Sequence, residues 1–249
     1  MHTEALRAMQ RMQAGHWWWR GMRHVYRAAL RRYSRDEQAQ RVLDVGCGFG
    51  ANLPLLAQEA ARGGLLVGVD VEHDALHSIE RRAGLALVQA RADALPFRAG
   101  SFDTVALLAV IEHVPDDQRV LSEAWRIARP GARQLLLTSA FMLLWSHHDV
   151  ANGHLRRYRV EQVEALQAAA GWRVKRAHYL NAAIFPLVLL VRRLQGGGEN
   201  PEARYDMGPN TWPFNRLLEG LLWLEARLPL RLPFGVDIFC AAVREQKGQ

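Results

Sequence analysis

Val42-Leu43-Asp44-Val45-Gly46-Cys47-Gly48-Phe49-Gly50 joins an apolar run bearing one carboxylate to three glycines at alternate positions. The apolar run reads as a buried strand, and the glycines remove Cβ atoms where the chain turns sharply and a ligand can come close. Ala51-Asn52-Leu53 then predicts the start of a helix whose first amides are unpaired, so that a nucleotide-like ligand fits the turn. Dinucleotide-binding loops use nearly the same device, but Gly46-x-Gly48-x-Gly50 lacks their G-x-G-x-x-G spacing.

Outward from this turn, residues 41–140 alternate short apolar runs with helical patterns, the signature of a parallel sheet covered on both faces. The runs predict strands over 41–45, 65–70, 85–90, 103–109 and 133–139, and helices over 51–61, 73–82 and 117–128. A polar, histidine-rich loop at 145–159, a helix at 160–170 and a strand at 172–179 follow. The regular order then breaks. An apolar segment at 181–194, a Gly/Pro-rich linker from Gly196 to Pro213 and an amphipathic helix at 214–228 precede a last strand at 236–243. The fold class is therefore α/β: a doubly wound, Rossmann-like, seven-stranded sheet with an antiparallel last strand. A mostly helical insertion at 180–234 enters before that strand, and residues 1–35 form an N-terminal helical arm or lid on this single domain of 1–249.

The net charge of +7 suggests an acidic partner, yet all basic residues but Lys175 and Lys247 are arginine, a bias that genome composition also produces. Cys47 and Cys240 have no C-x-x-C spacing, so neither a disulfide framework nor a zinc site is indicated and a reducing cytoplasm fits. The start of the chain has no apolar core of signal-peptide length, and Ile184–Val191 is much shorter than a bilayer span. The expectation is a cytoplasmic protein, peripheral at most at the inner face of the membrane.

Four motifs together resemble those of the class I S-adenosylmethionine (SAM)-dependent methyltransferases, in the small-molecule branch grouped with the ubiquinone-type enzymes. Val42–Gly50 looks like that family's first motif, Gly68-Val69-Asp70 like its acidic second strand end, and Ala92-Asp93-Ala94-Leu95-Pro96-Phe97 like its third. Phe102-Asp103-Thr104-Val105 through Ile111-Glu112-His113-Val114 is similar to the fourth. The likeness covers roughly residues 41–179 and the final strand.

The resemblance implies SAM as cofactor, S-adenosyl-L-homocysteine (SAH) as product, and a division of labour among these residues. Gly46, Cys47, Gly48, Gly50 and the backbone of Leu108 and Ala109 would meet the methionine end, with Asp44 orienting the loop or the ammonium. Asp70, with Val71 beside it, would accept from the ribose hydroxyls, a task suited to the two oxygens of a carboxylate. Asp93 would accept from the adenine amino group, helped by the Ala94 amide. Three carboxylates suit a sulfonium cation and would repel a pyrophosphate.

Methyl transfer needs a base only if the acceptor must lose a proton. Trp145-Ser146-His147-His148-Asp149 and His154-Leu155-Arg156-Arg157-Tyr158 form the densest acceptor-side cluster, with His147 or His148 as base and His113 as a secondary one. Arg156 or Arg157 would clamp an anionic acceptor, or Asp149, Arg157 and Tyr158 would hold one another. The spacing of His147, His148, Asp149 and His154 matches no strong metal signature, so no metal is expected. In His16-Trp17-Trp18-Trp19-Arg20, three consecutive tryptophans cannot all face one core, so Trp18 and Trp19 are candidates for acceptor or cofactor contact.

The leading function is methyl transfer to oxygen or nitrogen of a small-molecule or lipid-linked acceptor, by a monomer or homodimer. The lipid option rests on the apolar, arginine-flanked insertion, which also suits peripheral membrane contact. A NAD-dependent oxidoreductase and a noncatalytic SAM-binding module are the rivals. No recognisable RNA-binding module or Asn/Asp-Pro-Pro-aromatic motif supports a nucleic-acid partner.

Overall fold

A computed structural model describes residues 17–33, 39–194, 214–227 and 232–245. Seven strands form one sheet: β1 (Ala39–Val45), β2 (Ala60–Asp70), β3 (Leu85–Gln89), β4 (Phe102–Leu108), β5 (Ala128–Ser139), β6 (Arg173–Leu180) and β7 (Asp237–Val243). Their order is β3-β2-β1-β4-β5-β7-β6, parallel except where β7 slots antiparallel between β5 and β6. This is the doubly wound sheet with an antiparallel last strand that the sequence predicts. Its strand order reverses between β1 and β4, which opens a ligand crevice at the carboxyl ends.

Both faces of the sheet are covered, which is why the central strands read as unbroken apolar runs. Leu43, Val45, Val105, Leu107 and Leu136 pack into one buried cluster, under α4 (Asp117–Ile127) and α6 (Val160–Ala169). Val42, Leu66, Ala106, Leu135 and Phe239 pack into the other, which includes Met22, Val25 and Tyr26 of α1 (Trp17–Tyr33).

Two helices are shorter than the periodicity predicts. In place of 51–61, α2 spans only Leu53–Leu56 and β2 begins at Ala60. Buried Glu59 pairs with Arg133 of β5 and Ala60 takes up register with Ala39, so the chain is committed to the sheet within a turn of the helix. In place of 73–82, α3 spans His73–His77, and the Ser78 hydroxyl closes it on the Ala75 carbonyl at 2.7 Å.

The insertion is helical where described: α7 (Phe185–Leu194) and α8 (Phe214–Arg227), preceded in the chain by the short α5 (His147–Ala151). The linker from Gly196 to Pro213 and the arm before Trp17 lie outside the described residues. α1 packs on α8 through an Arg20–Glu219 ion pair at 2.9 Å and through Gly21, where a Cβ would fall 2.4 Å from Leu222 Cδ1. No helix among the described residues is long and apolar enough to cross a membrane.

Candidate functional site

The glycine turn sits at the carboxyl rim where β1 ends. Gly46, Gly48 and Gly50 all take left-handed backbone, with φ of +71°, +51° and +77°. A Cβ on Gly46 would lie 2.7 Å from Val110 Cγ2, whereas one on Gly48 would meet nothing within 4 Å. Gly46 is therefore needed by the fold, and Gly48 faces open space that a ligand can use. The Gly46 and Cys47 amides donate to Val69 O, and the Leu53 amide returns to Gly50 O at 3.1 Å. The expected helix with free first amides is thus a single turn already tied to the loop. The Cys47 side chain packs toward Gly68, and burial pushes its thiol well above the usual range, so it fills space.

Asp44 lies beneath this turn, 1% exposed, in register with Gly68 and Ala106 on the flanking strands. These small neighbours leave room around the carboxylate, and Asp44 Oδ2 has no hydrogen-bond partner. Burial, and next the negative charge of Asp70, push its carboxyl up to about 8.

The opposite end of the crevice is more open. Asp70 accepts from the Gly48 amide at 2.7 Å and the Glu72 amide at 2.9 Å, so it ties the loop to β2. Each of its oxygens keeps a second lone pair for a ligand hydroxyl. Val71 is exposed beside it. Asp93 is gripped by both arms of Arg91, at 2.9 and 2.6 Å, and that hydrogen bonding holds its carboxyl below the usual range. The Ala94 amide donates to Arg91 O at 3.2 Å, closing a turn rather than standing free for an adenine. Glu123 and Arg126 of α4 fasten this segment through the Leu95 amide and the Leu95 and Phe97 carbonyls.

Ala109, Phe141 and Asn181 are the described non-glycine residues with positive φ, at +62°, +53° and +61°. They follow the carboxyl ends of β4, β5 and β6, so local strain gathers along this rim. The Ala109 amide is used by Leu137 O, which leaves the Leu108–Ala109 segment as a bent edge beside the turn.

The histidine loop follows the second of its two expected readings, with Asp149 holding Arg157. Asp149 is buried and accepts from Arg157 at 2.6 Å, His154 at 2.9 Å and the Ser146 amide at 2.9 Å. Burial alone would raise its carboxyl, but the His154 hydrogen bond and the Arg157 and Arg192 charges hold it well below the usual range. Arg157 also donates to Ala140 O, Arg156 to Asp117 and Pro115 O, and Tyr158 to Asp117 and Ile111 O. Arg156, Arg157 and Tyr158, the expected acceptor clamps, thus tie the loop to the start of α4 and to the segment after β5. His148 is a poor base as well: burial, and next the Arg192 charge, lower its pKa to about 4. His147 starts α5 and is half-buried. His113 stacks edge-on against His154 at 4.6 Å, and burial lowers its pKa.

Glu112, His113 and His154 have ligand-capable atoms within 4.8 Å of one another, and of the His147, His148, Asp149 and His154 weighed from the sequence only His154 is among them. Glu112 accepts from Thr138 and His154 is paired with Asp149, so protein partners already satisfy part of this group. Trp18 and Trp19 belong to α1, but their side chains lie outside the described residues.

Sequence reasoning missed three buried rim residues, Tyr26, Asn181 and Asp237. The Tyr26 hydroxyl lies near the charges of Asp237, Glu112 and Asp44, and burial followed by those charges pushes it well above the usual range. Asp237 begins β7 and takes a hydrogen bond from Asn181. The available signal was one acid at the start of an otherwise apolar strand.

Residues 43–136 match the family described as "Methyltransferase domain". Over 106 residues the chain is 36% identical to ubiquinone biosynthesis O-methyltransferase of Ralstonia nicotianae, covering 40% of this chain and 43% of that protein. Over 171 residues it is 29% identical to demethylmenaquinone methyltransferase of Thermus thermophilus, covering 56% and 77%. The chain spans less than half the length of several curated relatives, between 29% and 48%. A Haloferax volcanii methyltransferase solved with the Trm112 activator shares the fold, with a TM-score of 0.64 at 18% identity over 98% of this chain and 96% of that one. The methyltransferase-domain match thus runs from β1 into β5, within a chain that shares its fold with a solved methyltransferase along nearly its whole length.

Proposed function

We propose that this protein uses SAM to methylate an oxygen or nitrogen of a small-molecule or lipid-linked acceptor. The observation that carries the reading is Asp44, a fully buried carboxylate with one unpartnered oxygen beneath a turn of left-handed glycines. A cation bearing N–H donors satisfies that atom, and the methionine ammonium beside a sulfonium is such a group. A pyrophosphate there would face the charge of Asp70 and would bring no N–H donors to Asp44, which disfavours a nicotinamide cofactor.

In this reading Gly46–Gly50 with Leu108 and Ala109 hold the methionine end, Asp70 and Val71 the ribose, and Asp93 the adenine. SAM supplies an electrophilic methyl carbon. The protein supplies position and exclusion of water, with Met22 and Tyr26 of α1 buried in the same cluster as Cys47 of the glycine turn. An apolar or lipid-linked acceptor is supported by the names of the quinone-pathway relatives. It is supported also by exposed Leu187, Leu190 and Leu194 on α7 and Leu217 and Leu224 on α8.

Isothermal titration tests the cofactor directly. SAM and SAH bind, NADH does not, and Asp70→Ala weakens SAM at least ~10-fold through loss of a charged acceptor and of the loop tie. Binding unchanged in Asp70→Ala overturns the site assignment. Transfer of labelled methyl from SAM to an extract of apolar metabolites separates an enzyme from a noncatalytic SAM-binding module.

A further inference from the structure

Asn181 and Asp237 are a buried polar pair that the cofactor reading leaves unused. β7 runs against its neighbours, so its first residue, Asp237, reaches the rim in register with Ser139 and Leu180, the last residues of β5 and β6. It alternates along β7 with Phe239 and Ala241, which puts it on the α1-covered face that also carries Val42 and hence Asp44. Asn181 follows β6 in left-handed backbone, where asparagine is better tolerated than most residues. Its Nδ2 donates to Asp237 Oδ2 at 2.5 Å and lies 3.1 Å from Met22 Sδ. Its Oδ1 is fully buried and has no partner. The fold has no evident need for a desolvated carboxylate here, since a neutral acceptor would satisfy the Asn181 amide at lower cost. Asn181 Oδ1 and the Asp237 carboxylate therefore keep capacity for donors at the carboxyl ends of β5 and β6, the rim that also carries the glycine turn.

We infer that Asp237 is the base that takes the proton of a hydroxyl acceptor, and that Asn181 is its positioning residue, taking a second donor of the acceptor on Oδ1. This rests on the methyltransferase reading. As the acceptor oxygen bonds to the methyl carbon, the carbon–sulfur bond breaks, its electron pair returns to sulfur, and the hydroxyl proton passes to Asp237. The carboxylate afterwards returns the proton to solvent.

The electrostatics suit the task. Burial raises the Asp237 carboxyl to about 6, against the Asn181 hydrogen bond and the Arg157 charge, while Glu112 raises it and Arg192 lowers it. The buried Tyr26 hydroxyl of α1 is near enough for the Asp237 charge to raise it further. Asp237 is thus ionised and basic near neutral pH, unlike His148.

Phenol and catechol, whose own ionisation lies far above the range used, serve as probes titrated calorimetrically into SAH-saturated protein from pH 5 to pH 8. In the wild type, phenol affinity rises with pH through a midpoint near 6 as Asp237 ionises. Asp237→Asn loses that rise and binds phenol at least ~10-fold more weakly, the scale of a hydrogen bond to a charged group. Asn181→Ala moves the midpoint upward by ~1 pH unit and removes the preference for catechol over phenol. SAH affinity within about twofold of the wild type certifies the fold of each variant, and if Asp237→Asn fails that check, Asn181→Ala decides. A pH-independent phenol affinity in the wild type, no phenol binding to the SAH complex, or an unchanged midpoint in Asn181→Ala overturns the inference. Failure of the wild type to bind SAH instead overturns the methyltransferase reading beneath it.

Discussion

Asp44→Asn should stabilise the free protein while crippling cofactor binding. Burial and Asp70 raise the Asp44 carboxyl from 3.8 to about 8. A folded-state pKa above the unfolded one gives stability that is fully present below about pH 4 and is lost as pH rises through about 8. At pH 7 the gap is about 3 units, or about 4 kcal/mol at ~1.36 kcal/mol per unit. Halved to allow for local relaxation on ionisation, this predicts a gain of ~2 kcal/mol for Asp44→Asn, or ~4–8 °C in Tm for a chain of this size. The difference between variant and wild type should vanish near pH 4 and grow to a plateau above about pH 8. The free wild type is also about nine-tenths protonated at Asp44 at pH 7, so binding a cation against the carboxylate releases ~0.9 proton. Calorimetry of SAM binding in buffers of differing ionisation enthalpy counts that proton, and thermal melts across pH follow the stability. A variant less stable than the wild type at pH 8, or SAM binding without proton release, refutes the reasoning.

Three further outcomes are expected. Gly46→Ala should cost more than ~2 kcal/mol in urea unfolding, since left-handed strain adds to the close approach to Val110, whereas Gly48→Ala costs only ~1–2 kcal/mol yet weakens SAH measurably in titration. Asp149→Ala leaves the Arg157 guanidinium buried without its carboxylate and should destabilise by ~3–5 kcal/mol. Because the folded Asp149 pKa is depressed, that contribution is present above the ordinary carboxylate range and shrinks as pH falls below it, which denaturant melts between pH 7 and pH 3 check. Leu190→Glu with Leu194→Glu should abolish co-sedimentation with anionic vesicles at low salt and leave SAH affinity unchanged. Retained sedimentation would remove α7 as the docking face.

Local pattern revealed what depends on local pattern. The central strands up to Ser139 were legible because burial on both faces leaves no polar alternation, and Asp44 stood out because a carboxylate inside such a run needs a reason. Helix 51–61 was overextended because nothing near Glu59 announces its partner Arg133, which is distant in sequence. His148 looked like a base because its burial, and next the charge of Arg192 on α7, are not legible locally, whereas the pairing of Arg157 with Asp149 was one of two readings the loop offered. Asn181 and Asp237 were the hardest to read. Their meaning depends on β7 entering between β5 and β6, and periodicity gives the existence of a strand but not its place in the sheet.

The charge distribution ties these parts into one sequence of events. The chain carries +7 overall, yet Asp44, Glu112 and Asp237 all lie near the buried Tyr26 hydroxyl beneath α1. Such a cluster is costly when ionised and is relieved by a bound cation, so it favours SAM entry. Methyl transfer turns the sulfonium into a neutral thioether and, on the route inferred here, neutralises Asp237 in the same step. Both charges that would hold the reactants together then disappear, and the product is expected to bind less well than the cofactor. The ratio of SAM to SAH affinity should therefore fall toward one in Asp44→Asn, because that variant removes the nearest carboxylate from both complexes but matters more to the cation.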